Sequence, residues 1–330
     1  MRNRTSAGTE PSSDSGRLFN PVDRCWVCGG QTLRRYHRCR MDFSEYAKQD
    51  PELHGYTGEQ AWLVQCPACG FGQPEALPTL ANFFDRMYDQ RWSPGWVEEE
   101  FAATCKDLIF RGILDELARR VTPARRRLLD LGAHAGRFMH LAQGRGWQVE
   151  GIELNPRTAA YAAGRTGAVV HQINAQTMAA SGRRFDAVTL TDVLEHIPEP
   201  VALLSAIARL LNPGGWVAVK VPSGFSQWQK ERVRSLLTPS HRMSLADNLV
   251  HVNHFSPRSL ALALERAGFC NVEIRAGAPE LVPPGTSRLR SAASNFVRLA
   301  VFAAAKLPGA RHTPLALNLQ AYAQVPDTPR

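Results

Sequence analysis

Leu128-Leu129-Asp130-Leu131-Gly132-Ala133-His134-Ala135-Gly136-Arg137 is the stretch that decides how this chain is read. The apolar run from Arg127 to Asp130 predicts a short strand. Gly132 and Gly136 predict a tight turn, and Phe138 to Arg145 a helix. Gln148 to Glu153 predicts the next strand, and Glu153 follows Asp130 by 23 residues. A strand, a glycine turn, a helix and a second strand, with an acid about 20 residues on, form a nucleotide-binding arrangement. The glycines let a ligand approach the backbone. An acid at the end of the second strand can take both ribose hydroxyls.

The alternation continues outward. Pro156 opens a helix that runs to about Arg165. Ala168 to His171, Phe185 to Leu190, Trp216 to Val221 and Phe269 to Ile274 predict strands. Pro200 to Leu211 and Pro257 to Ala267 predict the helices between them. Leu315 to Val325 predicts a last strand. Strands alternating with helices imply an α/β fold, a doubly wound parallel sheet with helices on both faces. Upstream, Leu80, Phe83, Phe84 and Met87 recur at helical spacing, as do Leu108, Ile109, Ile113, Leu114 and Leu117. Ser93-Pro94-Gly95 is read as the break between the two segments.

Composition narrows the class. Hydrophobic residues make up 44% of the 330 and charged residues 21%, which excludes a mainly disordered chain and a collagen. The longest apolar run, about Leu299 to Ala305, is too short to span a bilayer. The first residues lack the apolar core of a signal peptide, so a cytoplasmic location is expected. Residues 1–20 read as a disordered tail. The net charge of +9 points to acidic partners or a basic genome-wide bias, without a Lys/Arg run marking a nucleic-acid patch.

Seven cysteines, an odd number, argue against a disulfide framework. Cys25-Trp26-Val27-Cys28-Gly29 and Cys66-Pro67-Ala68-Cys69-Gly70 are matching CxxCG knuckles. Four thiolates from two such turns complete a tetrahedral Zn²⁺ shell. The glycine after each second cysteine lets the backbone turn tightly. Such a closed shell has no position for a reacting water, so the zinc at Cys25, Cys28, Cys66 and Cys69 is expected to be structural. The 37 residues between the knuckles leave room for strands, giving a zinc-ribbon-like module over 21–78 and a helical linker over 79–124. His37 and Cys39 could substitute as ligands but read as ordinary packing residues.

The loop at 128–137 with Glu153 resembles motif I of class I S-adenosylmethionine (SAM) methyltransferases. His134 stands where the middle glycine of the commonest form, GxGxG, is usual. Phe185-Asp186-Ala187-Val188 through Asp192-Val193-Leu194-Glu195-His196 resembles that family's fourth-strand segment. Leu211-Asn212-Pro213-Gly214-Gly215 resembles its LxPGG turn. His251-Val252-Asn253-His254-Phe255, with Ala267-Gly268-Phe269, resembles the ending of the same branch. Two zinc knuckles ahead of this domain look like an arrangement found among sugar and natural-product methyltransferases.

The resemblance implies a Rossmann-like seven-stranded sheet over 125–330, with a lid at 223–255 and an insertion at 276–314. It implies SAM as cofactor. Asp130, Gly132, Ala133 and Gly136 would shape the methionine side. Glu153 would take the ribose, with Leu154 beside it, and Asn174 with Ala175 the adenine edge. Asp192 would stand where sulfonium and acceptor meet. His196 is the leading base for a hydroxyl acceptor, since an imidazole suits proton removal at neutral pH. Glu195 and His254 complete the catalytic set, although Glu195-His196 could instead cap the following turn. Trp228 and the basic residues around it in the lid could bind an anionic acceptor or form a solvated face. Tyr88 could reach over the site or pack its helix.

The expected reaction is O-methylation of a sugar, a glycan precursor or another biosynthetic small molecule. A ribosomal RNA base methyltransferase with a zinc module is an alternative. It lacks support from an NPPY-like or nucleophilic cysteine motif, and the basic residues are not interleaved with aromatics. A zinc-dependent interaction protein with a degenerate domain is a second alternative, resting on His134 alone. Ser287 to Leu307 predicts a helix with four cations, no acid and a broad apolar face. That face would pack on its own domain or lie on a membrane surface.

Overall fold

The computed structural model describes residues 17–89, 94–238, 247–283 and 288–327. The first part holds β1 (Phe19–Pro21), β2 (Arg34–Arg40), α1 (Pro51–His54), β3 (Gln60–Gln65), β4 (Gly72–Pro74) and β5 (Ala76–Pro78). Strands β2, β3 and β4 form an antiparallel sheet, and β1 pairs with β5. Three helices follow: α2 (Phe83–Asp89), α3 (Pro94–Ala102) and α4 (Asp107–Arg120). Pro94-Gly95, read as part of the break between helical segments, opens α3 after α2 has ended, and proline's fixed φ and missing N–H suit the first helical position.

The larger part runs β6 (Arg127–Leu131), α5 (Arg137–Gln143), β7 (Gln148–Ile152), α6 (Pro156–Thr166), β8 (Val170–His171), α7 (Ala175–Ala180) and β9 (Phe185–Thr191). It continues through α8 (Pro200–Leu210), β10 (Leu211–Pro222), α9 (Gly224–Leu237), α10 (Pro257–Arg266), β11 (Cys270–Ala276), α11 (Arg288–Ala305) and β12 (Asn318–Gln324). The seven strands are ordered β11-β12-β10-β9-β6-β7-β8. The expected α/β sheet is present, with one difference. β12 runs antiparallel to both its neighbours. The chain leaves β11 and re-enters β12 at the same edge, so β12 must run back.

Local chemistry sets the element ends. Asn155 caps α6 by accepting from the Arg157 and Thr158 N–H groups, and Gly167 closes it at φ 65°. Ser256 and Ser259 cap α10 reciprocally, with Pro257 in its first turn. β9 and the second half of β10 are buried almost residue by residue because both sheet faces are covered. Met178, Leu204, Ile207 and Leu260 fill one face, and Ile113, Leu117 and Met139 the other.

The cysteine knuckles share the first of these cores. Phe71 packs on Phe255 at 5.1 Å between ring centroids, and Gly72 pairs with His254 backbone to backbone. Trp228, expected in a lid over the acceptor, is buried among Tyr36, His37 and His254 instead. Its indole is too large and apolar to leave in water once the neighbouring module offers a pocket. Of the basic residues around Trp228 in the lid, Arg232 and Arg234 are exposed on α9, while His241 and Arg242 fall outside the described residues. α11 packs on its own domain only in part: Phe302 and Ala305 meet the cores, while Leu289 and Phe296 point outward, 85% and 74% exposed.

Candidate active site

The glycine turn after β6 is held from two sides. The Gly132 and Ala133 N–H groups both donate to the Ile152 carbonyl at 2.9 Å. The Glu153 carboxylate accepts from the His134 N–H at 2.9 Å and the Asn155 N–H at 3.0 Å. Gly132 and Gly136 have φ of 77° and 84°, and His134 takes φ 49°. The left-handed conformation explains why glycine is usual at that point. The His134 ring stands edge-on to Trp96 of α3 at 5.0 Å, while Val97 and Phe101 pack on Ala135. Thus α3 lies across the loop.

Asp130 sits below the turn, fully buried. Its carboxylate accepts from the Thr189 hydroxyl at 2.8 Å, tying β6 to β9. Burial, partly offset by Thr189, pushes its pKa up to about 8. Leu154 is half exposed past the end of β7. Asn174 caps α7, its side-chain oxygen accepting from the Thr177 N–H at 2.8 Å, and Ala175 is buried behind it. Glu153, Leu154 and Asn174 therefore stand at the carboxyl ends of neighbouring strands, where open α/β sheets bind ligands.

At the end of β9, Asp192 adopts φ 57°. Its carboxylate pairs with the buried Lys220 ammonium of β10 and with Lys106 at 2.9 Å. Glu280 closes the cluster, 3.9 Å from each lysine. Burial works to raise the Asp192 pKa, but the two ammonium groups overcome it and hold the value at about 2.

Glu195 and His196 follow directly. Glu195 is buried, and its Oε2 has no hydrogen-bond partner among the described residues. Burial and the nearby Asp192 charge push its pKa well up. The His196 Nδ1 lies 2.6 Å from the Val250 carbonyl, so Nδ1 carries the proton and Nε2 is the acceptor nitrogen. His251 stands 4.9 Å from His196 between ring centroids. Burial, with His196 and His254 beside it, lowers the His251 pKa to about 3. Ligand atoms of Glu195, His196 and His251 all lie within 4.8 Å of one another. One carboxylate and two imidazoles can bind a polar acceptor or a divalent cation.

His254, grouped with these residues from the sequence, has a different place. Its Nδ1 accepts from the Trp228 indole N–H at 3.2 Å, and its Nε2 faces the His251 carbonyl at 3.1 Å. Both ring nitrogens are thus committed to packing between the cysteine module and the lid. Asn253 clamps the turn below, donating to the Leu194 and Ile197 carbonyls.

The four knuckle sulfurs converge as the spacing implied. Cys25 and Cys69 are 3.6 Å apart, and Cys28 and Cys66 3.5 Å. A tetrahedral zinc shell with Zn–S near 2.3 Å places sulfurs about 3.8 Å apart, so this set fits the ion. The Gly30 N–H points at the Cys28 sulfur. His37 and Cys39 are not part of the cluster: His37 stacks on Trp228 and Cys39 is buried elsewhere.

Lys106, Lys220, Glu280 and the inward-facing His251 were not among the expected site residues. Lys220 did carry a signal: a lone cation inside Trp216-Val217-Ala218-Val219-Lys220-Val221, an otherwise apolar strand. Lys106 and Glu280 carried none, because only the fold brings α4 and the segment after β11 to the end of β9. A groove of about 440 Å³ beside α10 and β11, lined by Arg258, Ile274, Arg275 and others, takes no residue from the turns after β6, β7 or β9.

Comparison with known proteins bears on the family and the fold. At 35% identity over 98 residues, the chain is similar to the ubiquinone biosynthesis O-methyltransferase of Leptothrix cholodnii, covering 28% of this chain and 42% of that one. The protein of that name from Alkalilimnicola ehrlichii is 38% identical over 100 residues, covering 28% and 40%. The match thus spans less than half the length of these relatives. Among solved structures, the phosphoethanolamine N-methyltransferase 2 of Haemonchus contortus, in complex with phosphomonomethylethanolamine and S-adenosylhomocysteine, shares the fold. Its TM-score is 0.50 at 17% identity, over 90% of this chain and 69% of that one. The model of the methyltransferase-domain family matches residues 102–274, just over half the chain, and the chain belongs to that family.

Proposed function

We propose that the chain transfers a methyl group from SAM to a hydroxyl oxygen of a small biosynthetic acceptor, in the class of sugars and glycan precursors. The observation that carries this reading is the meeting of two parts at the strand ends. A Cβ placed on Gly132 would lie 2.4 Å from Val193 Cγ2, so the glycine turn abuts the Asp192–His196 turn directly. The names of the curated relatives support oxygen as the acceptor atom.

The cradle fits the cofactor. Gly132 leaves no side chain between the two turns, Gly136 lets α6 approach through Ala162 and Thr166, and Glu153 lies at the next strand end. In this reading Glu153 takes the ribose, and Leu154 and Asn174 flank the adenine. When bound, SAM supplies an electrophilic methyl group on a sulfonium with a good neutral leaving group. The chain's task is alignment, exclusion of water and removal of one proton. His196 Nε2 accepts the acceptor's O–H proton, and the Val250 carbonyl on Nδ1–H stabilises the resulting imidazolium. Glu195 and His251 hold the hydroxyl in line. Asp192, fixed by Lys106 and Lys220, sets the turn that carries them. His254 positions His251 and does not touch the acceptor. The Cys25, Cys28, Cys66 and Cys69 zinc braces the module against α10.

Label from methyl-labelled SAM should enter a small-metabolite or glycan fraction of cell extract. His196→Gln should reduce that transfer at least about a hundredfold with SAM affinity unchanged. Label confined to RNA, or full turnover by His196→Gln, would overturn the reading.

A further inference from the structure

α11 packs on the domain through Phe302 and Ala305 yet carries a second apolar face. At 3.6 residues per turn, Leu289, Ala293, Phe296 and Ala300 fall on one face. That face points away from the protein: all four are exposed, and Leu307 just beyond is 64% exposed. On the inward side two polar residues, Ser291 and Asn295, stand beside Phe302 and Ala305, which pack on the cores. Asn295 brackets Val282, accepting from its N–H at 2.7 Å and donating to its carbonyl at 3.0 Å. The Ser291 hydroxyl donates to the Pro283 carbonyl. Ala305 is the buried residue at the far end.

Charge decides what can cover this face. Between 288 and 307 there are three arginines and one lysine, Arg288, Arg290, Arg298 and Lys306, and no acid. The chain as a whole carries +9. A second copy docked face to face would bring two such cationic helices together. An anionic lipid surface satisfies both features: acyl chains take the Leu and Phe side chains, and headgroups meet the arginines and lysine. No described helix is long and apolar enough to cross a membrane.

We infer that α11 lies in the interfacial plane of an anionic membrane, apolar face down. The helix adjoins the site. Arg298 donates to the Glu280 carbonyl at 3.0 Å, and the Glu280 carboxylate faces Lys106 and Lys220 beside Asp192. The chain also re-enters the sheet at the carboxyl edge, where the Ser223 N–H donates to the Leu317 carbonyl. Resting on the methyl-transfer reading, this placement makes the acceptor an amphiphile held in the bilayer, with its hydroxyl headgroup presented to His196.

The test is sedimentation of the full chain with vesicles of phosphatidylcholine alone or mixed with phosphatidylglycerol. The protein should pellet with the mixed vesicles, and less so as salt rises. Leu289→Ser/Phe296→Ser should lower the bound fraction about tenfold or more, because both side chains are lost from the apolar contact. Arg288→Gln/Lys306→Gln should weaken binding to the mixed vesicles only. Equal binding to both vesicle types, no binding, or binding indifferent to the Leu289/Phe296 change overturns the inference. So does a dimer in sedimentation equilibrium that the Leu289/Phe296 change dissolves. SAM affinity by calorimetry on the same proteins reports separately on methyl transfer: vesicle binding without SAM binding would sink that reading and leave this one standing.

Discussion

Gly132 and Val193 touch: the turn after β6 and the turn after β9 approach so closely that any side chain at 132 would strike Val193. Gly132 also holds φ 77°, where a Cβ is strained. Gly132→Ala is therefore expected to weaken SAM binding at least tenfold (~1.4 kcal/mol or more). Adding Val193→Ala should recover part of the loss by removing the clash while leaving the strain. Titration calorimetry with SAM checks both. An unaltered affinity in Gly132→Ala would contradict the assignment of this turn to the cofactor.

Lys220 is buried, and its ammonium pairs with Asp192 and faces Glu280 at 3.9 Å. Removing one partner of a buried pair costs up to about 3–5 kcal/mol, and Lys106, which stays paired with Asp192 at 2.9 Å, keeps the loss below that range. Lys220→Met should lower the urea midpoint accordingly. Asp192→Asn/Lys220→Met should lose less than the sum of the single changes. Strict additivity in that cycle would mean the two side chains do not act as a pair.

Acid should act through the same aspartate. The Asp192 pKa of about 2 lies below its ordinary 3.8, so folding favours its ionised form. Its contribution to stability is complete above the ordinary value and is lost as pH falls through about 2. Urea unfolding followed from neutral pH down to that range should show a steeper decline for the native protein than for Asp192→Asn. Parallel curves would contradict this.

His251 stays neutral across the neutral range, its pKa held at about 3 by burial and by the flanking histidines. His251→Gln, which keeps a neutral hydrogen-bonding side chain, should lower kcat while leaving the acid limb of the pH–rate profile in place. A limb that moves with this substitution would make His251 the titrating base in place of His196.

The knuckles brace more than themselves. The Ser256 hydroxyl donates to the Cys69 carbonyl at 3.3 Å, and Ser256 caps α10. Metal analysis should find about one zinc per chain. Cys28→Ser with Cys66→Ser should abolish it, lower the melting temperature and raise hydrogen exchange at 250–256. Full zinc occupancy in that variant would rule out the four-cysteine site.

The sequence by itself determined the sheet, the cysteine set and the glycine turn after β6, because each is a local pattern. Periodicity places the strands, CxxCG places two thiolates at one turn, and a glycine turn between strand and helix needs only neighbours in the chain. The Asp192-to-His196 segment was legible for the same reason. Tertiary structure alone decided the rest. It brought Lys106 and Glu280 to Asp192 across more than 80 positions of chain, and turned His251 inward while locking His254 against Trp228. It buried Trp228 where the lid reading had left it exposed, and turned the apolar face of α11 to solvent. Burial and charge pairing depend on which elements meet, and that is set by the packing of the whole sheet rather than by any one segment.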